Sequence, residues 1–191
     1  MMTPNHATAG LLLALTATRW HPELRSVVAI TAFIGGVVPD LDTKLEHRKS
    51  LHYPVYYGIL TGLFLLAATV VDARLLVIGT YFFAVAALHC YTDLFVDVEK
   101  ASDEPDGDGI IFVHPMDRWV GPVTLVRYAG SPEDLLVGLL LAVLPLIEYE
   151  SVPFALTVIA VAWSVLYFGE RQYRRHVTGT SAPSEMRLPG E

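Results

Sequence analysis

The sequence is poor in cysteine and in charged residues. Its single cysteine, Cys90, excludes an internal disulfide and a zinc site built from several thiolates. Only 17% of the residues are charged, compared with about 25% in a typical soluble domain. The sequence has no basic patch of the kind that binds nucleic acid, so nucleic acid is not expected as a partner. No lysine or arginine precedes the first apolar stretch, residues 7–17, so we interpret it as a retained helix rather than a secretory signal.

Hydrophobic residues make up 53% of the chain and occur in long blocks separated by short polar stretches. A bilayer core of about 30 Å needs ~20 apolar residues per helix, so blocks near that length are typical of membrane spans. A short first block, residues 6–20, is expected either to cross the bilayer or to be partly inserted or buried by protein. The predicted fold is an all-α transmembrane bundle of five or six helices, in one domain over residues 1–175. The other blocks are residues 24–38, 53–71, 75–94, 135–147 and 152–168.

Residues 94–132 interrupt the apolar blocks and predict a small loop or hairpin region outside the membrane. The acidic stretch 103–108 lacks the spacing of an EF-hand and is interpreted as a solvated turn. The runs 110–113 and 123–128 favour two β-strands. Ser131, followed by proline and two acidic residues, predicts the capped start of a helix. Residues 176–191 are polar and are expected to be disordered.

Positive charges are distributed unequally between the two sides of a six-helix arrangement. Of the 13 lysine and arginine residues, Arg19, Arg25 and Arg74 lie on one side and the others on the opposite side. Because cytoplasmic loops carry the excess of positive charge, both termini are expected in the cytoplasm, in a multi-pass protein of the cell membrane. This inference requires the first helix to cross the bilayer.

One loop between two apolar blocks carries Asp40, Asp42, His47 and His52. Pro39 is expected to end the preceding helix and to place the two aspartates on one side of an extended turn. Imidazole nitrogen mixed with carboxylate oxygen favours zinc, manganese or iron as the bound ion. Each residue alone could be a helix cap or an interfacial polar residue, but the four together indicate a metal site.

A second polar group ends the block at residues 75–94. His89 and Asp93 are four residues apart, so on a helix they share one face and can chelate one ion. An ionisable pair at the membrane end of a helix is costly unless it is partnered, which makes a functional role the default hypothesis, although the pair alone could form a structural hydrogen bond. His6, at the start of the first block, lies on the same side of a six-helix arrangement, although a surface position is the alternative.

Seven candidate ligands exceed the four that a tetrahedral zinc ion takes, so either two ions are bound or some candidates support the ligands. Two ions would stabilise the attacking and leaving oxygens of a phosphoryl displacement by a metal-activated water. Asp42 and Asp93 are candidates for the general base. Arg48, with Lys44 and Lys49, is a candidate for holding an anionic group, whereas His114 is expected to lie outside the ligand set. The candidate ligands are His6, Asp40, Asp42, His47, His52, His89 and Asp93.

These residues occur in an ordered set of motifs. They are Asn5-His6-Ala7, a Gly-Gly-Val-Val-Pro-Asp-Leu-Asp segment ending at Asp42, His47-Arg48 followed by Leu51-His52, and His89-x-x-x-Asp93. The set resembles the family of membrane-bound metal-dependent hydrolases of unknown substrate, whose fold is considered remotely similar to zinc-dependent phospholipase C. The resemblance covers residues 1–93 and implies a metal-site role for all seven candidates.

The expected function is therefore a membrane-embedded hydrolase that binds one or two divalent ions, with zinc favoured and manganese or iron open. Its substrate, a small molecule or a lipid, would be a phosphoester or a related lipid-associated compound. A phosphatase with a histidine nucleophile is disfavoured, because the sequence lacks Pro-Ser-Gly-His and a Ser-Arg pair before His89. An ion transporter is disfavoured, because the polar residues lie at helix ends. A non-catalytic scaffold linked by metal stays open, as does the oligomeric state.

Overall fold

The computed structural model describes residues 1–71, 73–96 and 110–178, except for the side chains of residues 43, 44 and 178. The described chain is mostly helical, as predicted, with one small sheet. The predicted acidic turn at 103–108 and residues 179–191 of the predicted tail lie outside these ranges. The α-helices are α1 Thr3–Ala14, α2 Ala17–Trp20, α3 Arg25–Val37, α4 Pro54–Val70, α5 Arg74–Asp93, α6 Pro132–Glu148 and α7 Ser151–Thr178. The 3₁₀-helices are Pro22–Leu24, Val38–Lys44 and His114–Met116, and the strands are β1 Ile111–Val113 and β2 Arg118–Val120.

Proline and serine mark several helix starts. Pro4, Pro54 and Pro132 lie in the first turns of α1, α4 and α6, where the missing N–H has no helical partner to lose. Ser131 Oγ accepts a hydrogen bond from the backbone N–H of Asp134 at 3.2 Å, which confirms the predicted cap. The apolar blocks thus become helices with ends near those predicted, with two exceptions: the first block forms two helices, and α7 continues past residue 168 to Thr178, into the start of the predicted disordered tail.

The first helix, α1, lies inside the bundle and contacts α3, α5, α6 and α7. Its 12 residues extend over about 18 Å, which is too short to cross a bilayer core of about 30 Å. The alternative of a helix buried by protein therefore describes α1. Two side chains of α1 belong to a buried core that is mostly small and aliphatic: Leu11, Ala14, Ala17, Leu24, Val28, Ala29, Ala32, Val85 and Tyr149.

In the described part of the chain, three helical segments are long and apolar enough to cross a membrane, by length and composition: Pro22–Asp42, Arg74–Asp93 and Ser151–Val177. α4 is apolar but shorter, and it packs chiefly against α5. Its other faces expose large aliphatic side chains, among them Leu63 and Leu66. An exposed apolar surface of this extent is typical of contact with lipid or with another protein.

The long helices alternate in direction, which gives the bundle two ends. At one end, the backbone N–H of Met2 donates to Asp134 Oδ2 (2.9 Å), so the starts of α1 and α6 lie together. At the opposite end, the Tyr149 hydroxyl donates to Leu11 O (3.0 Å), so the turn between α6 and α7 contacts the last turn of α1. We call the first end the His6 end, after the histidine in the first turns of α1.

The segment between α5 and α6 contains an antiparallel hairpin of β1 and β2. The prediction for residues 110–113 is close to β1, but the prediction of a strand at 123–128 is wrong. Asp117 adopts a left-handed conformation (φ 46°) directly after the 3₁₀ turn, so the chain reverses at once and the nearest residues pair. Val126, from the predicted strand, instead forms an isolated bridge with Val96.

The acidic segment after α3 is a 3₁₀-helix, Val38–Lys44, and not the extended turn that we expected. Pro39 lies in its first turn, where a proline is tolerated. Because a 3₁₀-helix turns by about 120° per residue, Asp40 and Asp42 point in different directions. Asp40 faces α5, whereas Asp42 faces the loop that follows.

Candidate metal centre

Four side chains from three segments form a compact group of potential metal ligands. Asp40 comes from the 3₁₀-helix after α3, His52 from the loop before α4, and His89 and Asp93 from α5, and one ligand atom of each lies within 4.8 Å of the others. His89 Nε2 is 3.3 Å from Asp40 Oδ1, and His52 Nε2 is 3.4 Å from Asp93 Oδ2. The side chain of Asp40 is 14% exposed and the other three are buried. The group therefore lies inside the protein, at the His6 end.

Asp42 holds His52 in position. Its Oδ2 accepts hydrogen bonds from His52 Nδ1 (3.0 Å) and from the backbone N–H of Leu51 (3.2 Å), and its Oδ1 accepts one from His47 Nδ1 (2.8 Å). The carboxylate thus keeps a proton on His52 Nδ1 and turns Nε2 toward Asp93. Burial lowers the pKa of His52, but the neighbouring carboxylates of Asp93 and Asp42 outweigh burial and raise this pKa above its usual value. A proton and a metal ion would compete for Nε2.

A backbone carbonyl holds His89. Its Nδ1 lies 2.7 Å from Gly36 O, which can only accept, so Nδ1 carries the proton and Nε2 the lone pair. Gly36 lies in the last turn of α3, where carbonyls lack helical partners. A Cβ at this position would lie 2.6 Å from His6 O and 2.7 Å from Ala7 Cα. Glycine is therefore required for α1 to approach α3 at the centre.

His6 lies against the group from α1. Its ring stacks on His89 with centroids 3.7 Å apart, and its Nε2 is 3.0 Å from Asp93 Oδ1. Thr92 Oγ1 donates to backbone carbonyls of the preceding turn of α5, at 2.8 and 3.0 Å, so it accepts the hydrogen bond from His6 Nδ1 (3.0 Å). Burial and the neighbouring His89 lower the pKa of His6 to about 4, so its ring is neutral near neutral pH.

The three Nε2 atoms of His6, His52 and His89 are buried and have no hydrogen-bond partner in the described part of the chain. In the neutral rings each Nε2 carries a lone pair, and it faces carboxylate oxygens of Asp40 or Asp93 that also carry lone pairs. Buried acceptors that face each other cost free energy. A divalent cation among them removes this cost, so the residues present fit such an ion. Nitrogen and carboxylate donors in this mixture suit zinc, manganese or iron.

The remaining candidate ligands lie outside the four-residue group. Both oxygens of Asp42 are occupied by hydrogen bonds, and the side chain of His47 is 42% exposed.

Arg48 and Lys49, the candidates for holding an anionic group, lie in the same loop. The backbone carbonyl of Arg48 accepts a hydrogen bond from the backbone N–H of Phe112. Lys49 Nζ pairs with Glu46 Oε2 at 2.6 Å.

The structure places His114 outside the four-residue group, in the hairpin. Its ring contacts Tyr53, with ring centroids 4.6 Å apart. Burial and the charge of Lys49 lower the pKa of His114. Of Lys44, only the backbone belongs to the described part of the structure.

Several partners of the ligands were not identified from the sequence. These are Thr92, the carbonyl of Gly36, and Thr3, whose Oγ1 donates to Asp40 Oδ2 at 2.5 Å. The amino group of Met1 also lies 2.8 Å from Asp93 Oδ1. Thr92 follows His89 by three residues, a spacing that places both on one helix face and could have indicated its role. A carbonyl oxygen leaves no such signal in a sequence.

Comparison with models of known protein families gives no match, and comparisons with curated proteins and with solved structures give no significant match. The resemblance to membrane-bound metal-dependent hydrolases therefore stays a prediction from the motifs of residues 1–93. The geometry of the four-residue group and of His6 is the basis for a functional interpretation.

Proposed function

We propose that this protein is a membrane-embedded, metal-dependent hydrolase that acts on a phosphoester or a related lipid-associated substrate. The observation that carries the proposal is the set of three buried histidine Nε2 atoms, without hydrogen-bond partners among the described residues, that face two carboxylates. Metal-dependent hydrolases use such mixed sets of imidazole and carboxylate ligands. The resemblance of the motif set to the hydrolase family supports the same activity.

The residues that would hold a first ion are Asp40, His52, His89 and Asp93. His6, beside Asp93 Oδ1, would complete that site or begin a second one. A divalent ion supplies Lewis acidity, which lowers the pKa of water and polarises a phosphoryl oxygen. The chain itself orients the ligands, since each Nδ1 is fixed by a separate acceptor. Both Asp42 oxygens are engaged by hydrogen bonds, and Asp93 is itself a ligand candidate with the Met1 amino group beside its Oδ1, so the geometry favours neither of the two candidates for accepting a proton.

A membrane location is the second part of the proposal. Its support is the set of three apolar helices of membrane-spanning length and the exposed aliphatic surface of α4. The ligands lie at the ends of the apolar helices, so the site would face the headgroup region, where lipid and water-soluble esters both have access. Although α1 is too short to cross the bilayer core, it runs from the His6 end toward the opposite end, so the two sides of the six-helix arrangement are kept. The excess of positive residues at the His6 end favours the cytoplasmic side.

Hydrolysis of generic phosphoesters by the purified full chain tests the activity. With zinc or manganese bound, the wild type is expected to hydrolyse p-nitrophenyl phosphate or bis(p-nitrophenyl) phosphate, and removal of metal by a chelator is expected to abolish hydrolysis. His89→Gln is expected to reduce the rate to background, because it removes a ligand. His21→Gln is the matched control, since His21 is partly exposed and pairs with Glu23 at the opposite end.

A non-catalytic metal link between helices is the second candidate function. It is favoured by the origin of the ligands, which come from the segments after α3, before α4 and on α5. Under this alternative, the wild type binds metal and loses thermal stability when the metal is removed, yet hydrolyses no ester. Metal-dependent hydrolysis that is lost in His89→Gln would exclude it.

A further inference from the structure

Arg48 Nε and His114 Nδ1 are buried nitrogen atoms outside the metal centre, and they have no hydrogen-bond partner among the described residues. Nearly all buried polar atoms in folded proteins are paired, because an unpaired one costs free energy. Arg48 Nε carries a hydrogen under all conditions, and His114 Nδ1 can carry one. Both atoms therefore have no protein partner that would compete with a ligand, and both residues are only partly buried.

The loop of Arg48 and the hairpin of His114 are held together around Phe112. The backbone N–H of Phe112 donates to Arg48 O at 3.3 Å, and Lys49 Nζ lies 5.0 Å from the centre of the Phe112 ring. His114 packs edge-on against Phe112, with ring centroids 5.0 Å apart, and lies 4.6 Å from Tyr53. Arg48, through its backbone, and His114, through its ring, thus adjoin one cluster around Phe112.

This cluster adjoins the metal centre. Tyr53 directly follows the ligand His52, and His47, directly before Arg48, shares Asp42 with His52. The rings of His47 and His52 are 5.7 Å apart. A group that contacts the cluster therefore lies beside the edge of the centre formed by His52.

Charge and backbone conformation at Arg48 are consistent with ligand binding. Glu46, an acidic residue of the same loop, already pairs with Lys49, and Arg48 forms no ion pair within residues 1–71, 73–96 and 110–178. Its φ of 63° lies in the left-handed region, which a residue with a Cβ adopts only at an energetic cost. Strained conformations of this kind cluster at binding sites.

We propose that Arg48 and His114 form a subsite for the phosphate group of the substrate. The inference rests on the proposed hydrolase function and names the group that this function would recognise. A guanidinium group presents N–H donors in a fixed plane that matches the oxygens of phosphate. A soluble phosphoester and a phospholipid headgroup both carry a phosphate group. The subsite would recognise either one, and the competition experiment described below distinguishes them.

Calorimetric titration of inorganic phosphate into the purified full chain tests the subsite, with metal content measured on the same samples. Arg48→Gln and His114→Gln are each expected to bind phosphate about 10-fold more weakly or worse, since each removes one hydrogen bond to a charged group. Their metal content is expected to equal that of the wild type. Arg127→Gln is the matched control, because Arg127 is exposed and pairs with Glu133 at 2.7 Å. Arg48→Lys, which keeps the charge but lacks the planar donor group, is expected to recover only part of the affinity.

Unchanged phosphate binding in Arg48→Gln and His114→Gln, with metal content intact, would overturn the subsite and leave the metal centre standing. If the wild type holds no metal, the proposed hydrolase function is wrong. The phosphate titration of this metal-free protein still tests the subsite, because equal binding by the wild type and the variants would overturn it. Competition distinguishes the two sources. Displacement by short-chain phosphatidic acid supports a lipid headgroup, displacement by glycerol phosphate alone supports a soluble ester, and displacement by neither overturns the subsite.

Discussion

Three neighbouring histidines are fixed by three chemically different acceptors. A carboxylate holds His52, a backbone carbonyl holds His89 and a threonine hydroxyl holds His6. In each case the hydrogen bond at Nδ1 orients the ring, so the opposite nitrogen, Nε2, faces the carboxylates of the centre. Such outer partners fix the orientation and tautomer of histidine ligands and raise their affinity for metal.

Asp42→Asn is expected to weaken metal binding although Asp42 lies outside the four-residue group. The amide is uncharged, so His52 Nδ1 loses an ionic partner and His52 its fixed orientation. Loss of an outer partner of this kind typically costs about 10–100-fold in metal affinity. The affinity is measured by competition with a chelator of known strength.

Asp117→Asn is the matched control for this prediction. Asp117 is exposed and has a φ of 46°, a conformation that asparagine also tolerates. Its metal affinity is expected to equal that of the wild type. Equal affinity of Asp42→Asn and wild type would contradict the role assigned to Asp42.

The candidate residues could be identified from the sequence, but their separate roles could not. Histidine and aspartate beside apolar helices are conspicuous because they are costly there without partners. Asp40 and Asp42, however, are chemically identical and two residues apart, and only the 3₁₀ conformation of their segment directs one to His89 and the other to His52. The carbonyl of Gly36 could not be anticipated, because its role arises from the packing of α3 against α5.

At the scale of elements, glycine allows α3 to lie close to α1 on one side and to α5 on the other. A Cβ at Gly36 would lie 2.6 Å from His6 O, and a Cβ at Gly35 would lie 2.6 Å from Phe82 O. Small residues at contacts between apolar helices permit this close approach of backbones. The approach brings the segments that carry Asp40, His89 and His6 together.

Gly36→Ala is expected to destabilise the protein by about 1–3 kcal/mol, because overpacking forces the backbone of α1 to move. This outweighs the gain of about 1 kcal/mol that alanine offers over glycine within a helix. The midpoint of thermal unfolding in detergent, followed by circular dichroism, measures the effect. Metal content is expected to fall as well, since His6 moves with α1.

Gly62→Ala serves as the control, because a Cβ at Gly62 meets nothing within 4 Å. Its unfolding midpoint is expected to stay unchanged or to rise slightly. An unchanged midpoint in Gly36→Ala would show that α1 and α3 are not in the close contact described.

Most elements followed from the lengths of the apolar blocks, and the exceptions have physical reasons. The second strand of the hairpin was misplaced because β-propensity at 123–128 is a weak signal, whereas the left-handed turn at Asp117 imposes local pairing. α1 was ambiguous because block length alone does not distinguish a helix that contacts lipid from one that contacts protein. The burial of Asn5, His6 and Thr8 on α1 resolves the ambiguity in favour of protein contact.

At the scale of the whole molecule, the two ends of the bundle differ in charge and in chemistry. The His6 end carries the candidate metal centre, the hairpin and most of the positively charged positions, including Arg48, Arg118 and Arg127. The opposite end carries Arg19, Arg25 and Arg74. α5, with 20 residues, is about 30 Å long, which matches the apolar thickness of a bilayer.

The His6 end is expected to face the cytoplasm. Cysteines introduced at the two ends, Asp117→Cys and Glu150→Cys, test this with a membrane-impermeant maleimide, and the native Cys90 is buried and serves as the background. In intact cells the reagent is expected to label Glu150→Cys, and Asp117→Cys only after permeabilisation. The reverse pattern would contradict the orientation, and recovery of the protein in the soluble fraction would contradict the membrane location.

The central claim is that side chains from separate segments of the chain form one metal centre. Inductively coupled plasma mass spectrometry on the purified full chain tests it most directly, by comparing the wild type with His52→Gln and His89→Gln and with the control Asp117→Asn. We expect near-stoichiometric transition metal in the wild type and the control, and loss of that metal in both histidine variants. A wild type that holds no metal after incubation with zinc or manganese, or variants that retain it fully, would contradict the claim.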